Sequence, residues 1–414
     1  MTSRVVVTGL GVVAPTGVGV ADHWAATLTG SCRISELPAW DGAGEGGRRP
    51  PFRSAGQVPD FEAETFVPSR VRVQTDRWTW LALAATQLAF ADAALDPAGH
   101  DPYELSVVTA GGSGGNEFGQ REIDTLWRNG PHTVSAYQSI GWFYAASSGQ
   151  ISIRHQLKSA CGVLVADGAG GIDALASAAR QIRRGVRAVV TGGTESPLSP
   201  YALACQAALP GLSTEAGPAD AYRPFAGGAS GQVPGEGGAM LIVEDAEFAR
   251  ERGAPQIYAE VAGTAATHDG HHPVDPADGC GQLARAMRLA LERAGCTPAE
   301  VDVVFADGAG EPRRDALEAA ALREVFGARR VPVTVPKTMT GRLCSGGAAL
   351  DLAWAALALA HDTVPPSACP PGTGEELGLD LVTEARPAAG VRTALVVARG
   401  LGGFNSAAVL RAPR

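Results

Sequence analysis

The sequence predicts an α/β protein in which two similar halves, each a buried and largely parallel sheet, share central helices and stack into five layers, αβαβα. Three observations carry this. Strand-then-glycine signals recur in the same order: LSVVTAGGSGG (105–115), GVLVADGAGG (162–171) and RAVVTGGTE (187–195), then VDVVFADGAGE (301–311), VPVTVPKTMTG ending at Gly341, and TALVVARGLGG (393–403). Near-continuous apolar runs of this kind mark strands covered on both faces. The middle signal of each half leads into an apolar helical stretch, GIDALASAARQIRRG in one and GGAALDLAWAALALAHD in the other. Glycine supplies 53 of the 414 residues, about twice its usual share of ~7%, as tight turns between strands and helices require.

Along the chain, MTSRVVVTGLGVV enters a strand directly and lacks the pattern of a signal peptide. A loop-rich insertion is expected near 33–75 and another near 196–238, both rich in Gly and Pro. In the helix after the second signal, Ile172, Leu175, Ala176 and Ala179 recur at helical spacing and predict its buried face. The polar stretch EDAEFARERGAPQ (244–256) ends in Gly-Ala-Pro and places the boundary between an N-terminal half, 1–250, and a C-terminal half, 251–414.

The net charge of −9 argues against nucleic acid as a partner, because phosphate binding needs clustered positive charge. One such cluster, Arg180, Arg183, Arg184 and Arg187, reads as a solvated helix end favoured by the helix dipole. Seven cysteines without any C-x-x-C suggest neither a disulfide framework nor a zinc site, and fit a reduced, cytoplasmic setting. The longest apolar stretches, such as LAWAALALAH, are too short to span a bilayer.

The stretch VLVADGAGGIDALASAARQIRRG (163–185) is a strand-turn-helix elbow, where enzymes often hold a nucleophile at a helix N-terminus. Here the turn is Asp167-Gly168-Ala169-Gly170-Gly171, with no Ser, Cys or Thr. Its N–H groups could meet a phosphate, but G-x-G-x-x-G is absent. In THDGHHP (267–273), His268, Asp269, His271 and His272 have irregular spacing and read as a solvated loop rather than metal ligands. Cys161 and Cys205 read as buried, inert thiols.

Five segments in order resemble the thiolase-like fold of the β-ketoacyl synthases, the condensing enzymes of fatty-acid and polyketide synthesis. They are VVVTGLGVVAPTG, GGTESPLSPYALACQAALPGLS, YRPFAGGASGQVPGEGGAMLIVE, PKTMTGRLCSGGAALD and RGLGGFNSAAVLR, and they are spread over almost the whole chain, from Val5 to Arg411. The resemblance implies a duplicated αβαβα fold and an active site of one cysteine, two histidines and a lysine. At the matching positions stand Gly168 for the cysteine, Asp307 and Arg342 for the histidines, and Lys337 for the lysine. Nucleophile and decarboxylating pair are lost together.

FGQREIDTLW (118–127), SAYQSIGWFYAASSGQISIRH (135–155) and KTMTGRL resemble the chain-length factors, ketosynthase-like subunits of bacterial type II polyketide synthases. Many of these carry Gln where Gly168 stands. The resemblance implies a heterodimer with a catalytic ketosynthase, a growing chain delivered on an acyl carrier protein, and no cofactor or metal. It implies that this chain is inactive alone and shapes the closed end of a tunnel, with Asn116, Gly119 and Ile123 on the gating face. Gly119 is expected to leave that end open. The other reading is an active condensing or malonyl-decarboxylating relative with unusual residues. Asp307 and Arg342 are expected to pair in the space of the lost histidines, and Lys337 to pair with Asp351, fourteen residues on. The apolar stretch YQSIGWFYAASSGQISI is expected to form part of the heterodimer interface.

Overall fold

Ten strands frame the protein, seen here in a computed structural model that describes residues 3–37, 52–215, 217–387 and 390–413. In the first half these are β1 (Val5–Ala14), β2 (Leu105–Ala110), β3 (Cys161–Leu164), β4 (Ala188–Glu195) and β5 (Gly237–Asp245). The second half supplies β6 (Ala259–His268), β7 (Val303–Phe305), β8 (Pro332–Thr334), β9 (Thr393–Gly400) and β10 (Phe404–Arg411). The spatial orders are β3-β2-β4-β5-β1 and β8-β7-β9-β10-β6. Ranked by position within each half, both read third, second, fourth, fifth, first. The directions repeat as well. β2 runs parallel to β3 and β4, and β7 parallel to β8 and β9, while the β4–β5, β5–β1, β9–β10 and β10–β6 pairs are antiparallel. The two sets touch where Val6 and Val7 of β1 pair with Glu260 and Ala259 of β6. The expected largely parallel sheets are therefore mixed. Apolar runs report burial on two faces, and an antiparallel strand between helical layers is buried just as fully.

Two helices fill the middle layer, α4 (Gly170–Ile182) after β3 and α8 (Ser345–His361) after β8. The first fifteen residues of α8 are all buried, because this helix is apolar on every side and has sheet or helix against each of them. In α4, Ile172, Leu175 and Ala179 are buried as predicted, joined by Ala174 and Ala178, while Ala176 is only half-buried. Helices α1 (Arg77–Asp92) and α3 (Ala146–His155) cover the outer face of the first sheet, and α6 (Gly281–Ala294) that of the second, flanked by α7 (Pro312–Phe326). Of the exterior helices, α6 shows one-sided burial through Leu283, Met287, Ala290 and Leu291, leaving Arg285 and Arg288 to solvent. The insertion near 33–75 contains a short hairpin, Ile34–Glu36 with Ser54–Gly56; residues 38–51 of it lie outside the described residues. The insertion near 196–238 holds α5 (Pro200–Ala207), capped by Ser199. Among the described residues no helix is long and apolar enough to cross a membrane.

The two central helices cross in backbone contact. A β-carbon at Gly171 of α4 would lie 2.4 Å from the amide nitrogen of Ala349 in α8, so the crossing exists only with glycine there. Gly347, two residues earlier on α8, has nothing within 4 Å of a built β-carbon. Gly171→Val is expected to destabilise the protein by more than the ~1–3 kcal/mol usual for overpacking. Gly347→Ala is expected to stabilise it by roughly 0.5–1 kcal/mol through helix propensity. Chemical denaturation of the two variants checks both signs.

Candidate functional site

The elbow between β3 and α4 is a single tight turn, Asp167–Ala169. Asp167 sits at φ +46°, in the left-handed region, and its carboxylate accepts the Leu401 N–H at 2.6 Å. That bond ties the elbow to the glycine turn joining β9 to β10. A β-carbon at Gly168 would lie 2.5 Å from the Arg399 carbonyl oxygen and 3.3 Å from Nη2 of Arg342. Gly168 is thus enclosed by main chain on one side and by a guanidinium on the other.

The remaining three positions come from the second half. Asp307 follows β7, Lys337 lies in the turn Pro336–Met339 after β8, and Arg342 precedes α8. Arg342 grips Asp307 with both ends of its fork, Nη1 to Oδ2 and Nη2 to Oδ1, each at 3.0 Å. Oδ1 also accepts the Arg399 N–H at 3.1 Å. Lys337 Nζ lies 2.6 Å from Oδ2 of Asp351 on α8, and donates to the carbonyls of Ala306 and Asp307 at 3.2 and 3.1 Å. Glu318 of α7 accepts the N–H groups of Asp307 and Gly308 at 2.7 and 2.8 Å. The four positions therefore converge, and with Asp351 they form a buried run of alternating charge: Arg342, Asp307, Lys337, Asp351.

Burial pushes the Asp307 carboxyl up, but the positive charges of Arg342 and Lys337 outweigh it and hold the group below the ordinary aspartate range. Arg342 is driven well above its ordinary value, since Asp307 and Tyr222 overcome its own desolvation. Burial, with the Asp307 charge added, raises Glu318 to about 7. Burial also raises Asp315 to about 7 and Asp351 to about 6. Asp307, Lys337 and Arg342 open onto a cleft of about 340 Å³ that is also lined by Asp167, Gly168 and Cys344. Cys344 brings a thiol to the same cleft, but burial and the nearby Glu195 and Asp167 raise it well above the usual thiol range. A protonated thiol is a poor nucleophile. Asp307 has both oxygens engaged and cannot serve as a general base without dismantling its ion pair.

On α2 (Asn116–Asn129), Asn116, Gly119 and Ile123 follow one another along one face. The Asn116 amide donates to the Ser113 carbonyl at 2.8 Å, Gly119 is buried, and Ile123 is 47% exposed. Phe118 turns inward, while Trp127 is 82% exposed. Beside this helix the segment 137–144 leaves Ile140, Trp142, Phe143 and Tyr144 exposed. β3 lies at the free edge of its sheet, and Val165 just beyond it is exposed too.

Several residues that position the site escaped the sequence reading. Asp76 caps α1 through the Trp78 N–H and also accepts the Phe118 N–H at 2.6 Å, fixing the start of α2; burial raises its carboxyl to about 6. Glu195, at the end of β4, is buried, accepts the Gly112 N–H at 2.7 Å and bonds Ser113, and burial raises it to about 7. A cap signal at Asp76 was readable; its reach to α2 was not. Cys161 and Cys205 are exposed, contrary to the expectation of burial, because β3 is an edge strand and α5 lies in a surface insertion. His271 and His272 are exposed, and Nδ1 of His268 and of His272 accept backbone N–H groups of their own loop. Arg187 pairs with Glu251 at 2.9 Å, and Arg180 and Arg183 line a shallow groove at the far end of α4.

Two family models match the chain, the N-terminal domain of β-ketoacyl synthase over residues 2–249 and the C-terminal domain over 258–369. The chain belongs to the β-ketoacyl synthase family. Within it, the chain is similar to the subunits of type II polyketide synthases. It is 50% identical, over 98% of each sequence, to the tetracenomycin polyketide synthase ketoacyl synthase beta subunit of Streptomyces glaucescens. Its fold matches a type II acyl-carrier protein–ketosynthase complex bound to a hexaketide (TM-score 0.88, 28% identity, all of both chains). It also matches the ishigamide ketosynthase/chain length factor (TM-score 0.88, 26% identity, all of both chains).

Two predictions follow from the charge run. Arg342→Ala leaves the Asp307 carboxylate buried without its bidentate partner and is expected to cost about 3–5 kcal/mol. An Asp307→Ala/Arg342→Ala double variant is expected to recover part of that loss in a denaturation cycle. The second concerns pH. Glu318, Asp315 and Glu195 titrate near 7 when folded and Asp351 near 6, against about 4 in the unfolded chain. The stability they contribute is fully present below about pH 4 and is lost as pH rises through 6 to 7. Asp307, shifted down, loses its contribution only in stronger acid. Tm is therefore expected to fall between pH 5 and pH 8, and Glu318→Gln to reduce that fall.

Proposed function

We propose that this chain is a non-catalytic, chain-length-determining subunit of a type II polyketide synthase. It pairs with a catalytic ketosynthase and shapes the closed end of the polyketide tunnel. The observation that carries the reading is the closure of the elbow: Gly168 has no nucleophile, and the Arg342–Asp307 pair occupies the ground beside it. The partner's cysteine would hold the growing chain, an acyl carrier protein would deliver the units, and neither cofactor nor metal is needed for this role. The setting is the cytoplasm. The halves 1–250 and 251–414 act as one frame.

The partner surface we assign is the exposed apolar band of Ile123, Ile140, Trp142, Phe143 and Tyr144, continued by the free edge of β3 and Val165. An edge strand offers unpaired main-chain groups that a second sheet can extend. An obligate interface of about 2,000 Å² or more would cover the band. On this reading Asn116, Gly119 and Ile123 border the end of the tunnel. A condensing or decarboxylating activity for the isolated chain would need a nucleophile or base, and Cys344 and Asp307 are poorly suited to either task for the reasons given above.

Incubation of the purified chain with an acyl-loaded carrier protein, followed by intact-protein mass spectrometry, is expected to give no covalent adduct. Gly168→Cys is expected to give none either, since its side chain meets the Arg399 carbonyl and the Arg342 guanidinium. Co-expressed with its ketosynthase, the chain is expected to purify as a 1:1 complex, and alone to self-associate. An adduct on the native chain, or a well-behaved lone monomer that ignores the ketosynthase, overturns the proposal.

A further inference from the structure

We infer that Trp142 is the side chain that sets the depth of the tunnel, lying across the space that Gly119 leaves on α2. This rests on the reading of the α2 face as the tunnel end, and deepens it. From sequence, a glycine at 119 suggests an open end. The structure fills that opening with an indole. A β-carbon at Gly119 would lie 3.1 Å from Cδ1 of Trp142, with Gln138 Nε2 and Trp142 Cγ next, at 3.9 Å. The ring therefore rests on the bare backbone of α2, where a side chain would have held it off.

The indole is held in place from its own main chain. The Trp142 carbonyl accepts the Gly115 N–H at 3.1 Å, and its N–H donates to the Gln138 carbonyl at 3.3 Å. The residue before it, Gly141, is pressed against the buried Phe118 ring, 2.8 Å from where a β-carbon would stand. The segment is clamped to the first turns of α2 at both points. Trp142 is nonetheless 51% exposed, on the same face as Ile123. One side of the ring is seated on Gly119 and the other faces the space that the partner would close. A chain growing toward α2 would meet the indole before it met the helix. Asn116, Gly119 and Ile123 then act less as the stop than as the shelf on which the stop lies.

The test is product length by mass spectrometry, with the heterodimer, carrier protein and malonyl units reconstituted and assembly checked by size-exclusion chromatography. Trp142→Ala is expected to lengthen the product by one or more two-carbon units, and Trp142→Leu to do so in smaller proportion. Unchanged length in an assembled Trp142→Ala heterodimer overturns the inference. Ile123→Trp and Gly119→Phe run beside it separate the two readings. If they shorten the product while the Trp142 variants do nothing, the α2 face borders the tunnel and Trp142 is not its stop. If none of the four changes length, the tunnel reading of α2 falls as well. Failure of both Trp142 variants to assemble overturns the inference too, and leaves the residue with its place in the partner band alone.

Discussion

Two cations and two anions buried in alternation, Arg342–Asp307 and Lys337–Asp351, are the constraint on which the centre of this protein depends. None of the four can be removed singly without stranding a charge in a low-dielectric interior. Each holds more than its partner. Asp307 receives the Arg399 N–H and fixes β9, Lys337 binds two carbonyls of the turn after β7, and Asp351 places the run against α8. The run thus fastens β7, β9, the turn after β8 and the central helix to one another. The four charges thus act as a structural fastening that engages each of them in an ion pair.

The duplicated frame explains why these residues meet at all. Each half delivers a strand, a turn and a central helix to the same place: β3 into Gly168 and α4, β8 into Lys337, Arg342 and α8. The helices cross in backbone contact at Gly171, so the turns ahead of them cannot separate. Arg342 then lies 3.3 Å from where a side chain at 168 would begin. The stronger exclusion comes from main chain: a β-carbon at 168 would lie 2.5 Å from the Arg399 carbonyl oxygen, with the Arg342 fork in tight contact beside it.

Most of this frame was legible in the sequence, because burial on both faces leaves continuous apolar runs and close crossings leave glycines. The pairing of Lys337 with Asp351 was also legible, from the fourteen-residue interval carried by the family resemblance. Strand direction was not, since β5 and β10 are as apolar as their parallel neighbours. The exposure of Cys161 was hidden for a related reason: an edge strand such as β3 has the composition of a buried strand when a further surface is meant to cover it. Glu195 and Asp76 act across 82 and 42 residues of sequence on Ser113 and Phe118, and no local spacing announces a contact of that range. The filling of Gly119 by Trp142 belongs to the same class. A glycine states that something comes close and does not say what.

These limits bear on what the fold has been kept for. The charges beside Gly168 are paired with one another, whereas many of the large apolar side chains left exposed, Ile123, Trp127, Trp142, Phe143, Tyr144 and Val165 among them, lie on α2, the 137–144 segment and the β3 edge. A protein retained only for stability would have no reason to leave Trp142, Phe143 and Tyr144 to water beside an unpaired strand, where they invite aggregation. Asp76 and Glu195 meanwhile fix the approach to α2 from beneath, through the Phe118 N–H and the Gly112–Ser113 turn. Firm support therefore lies under the exposed face as well as at the buried charge run. That distribution of order is what a subunit requires when its contribution is shape: a firm surface, incomplete until a partner closes it.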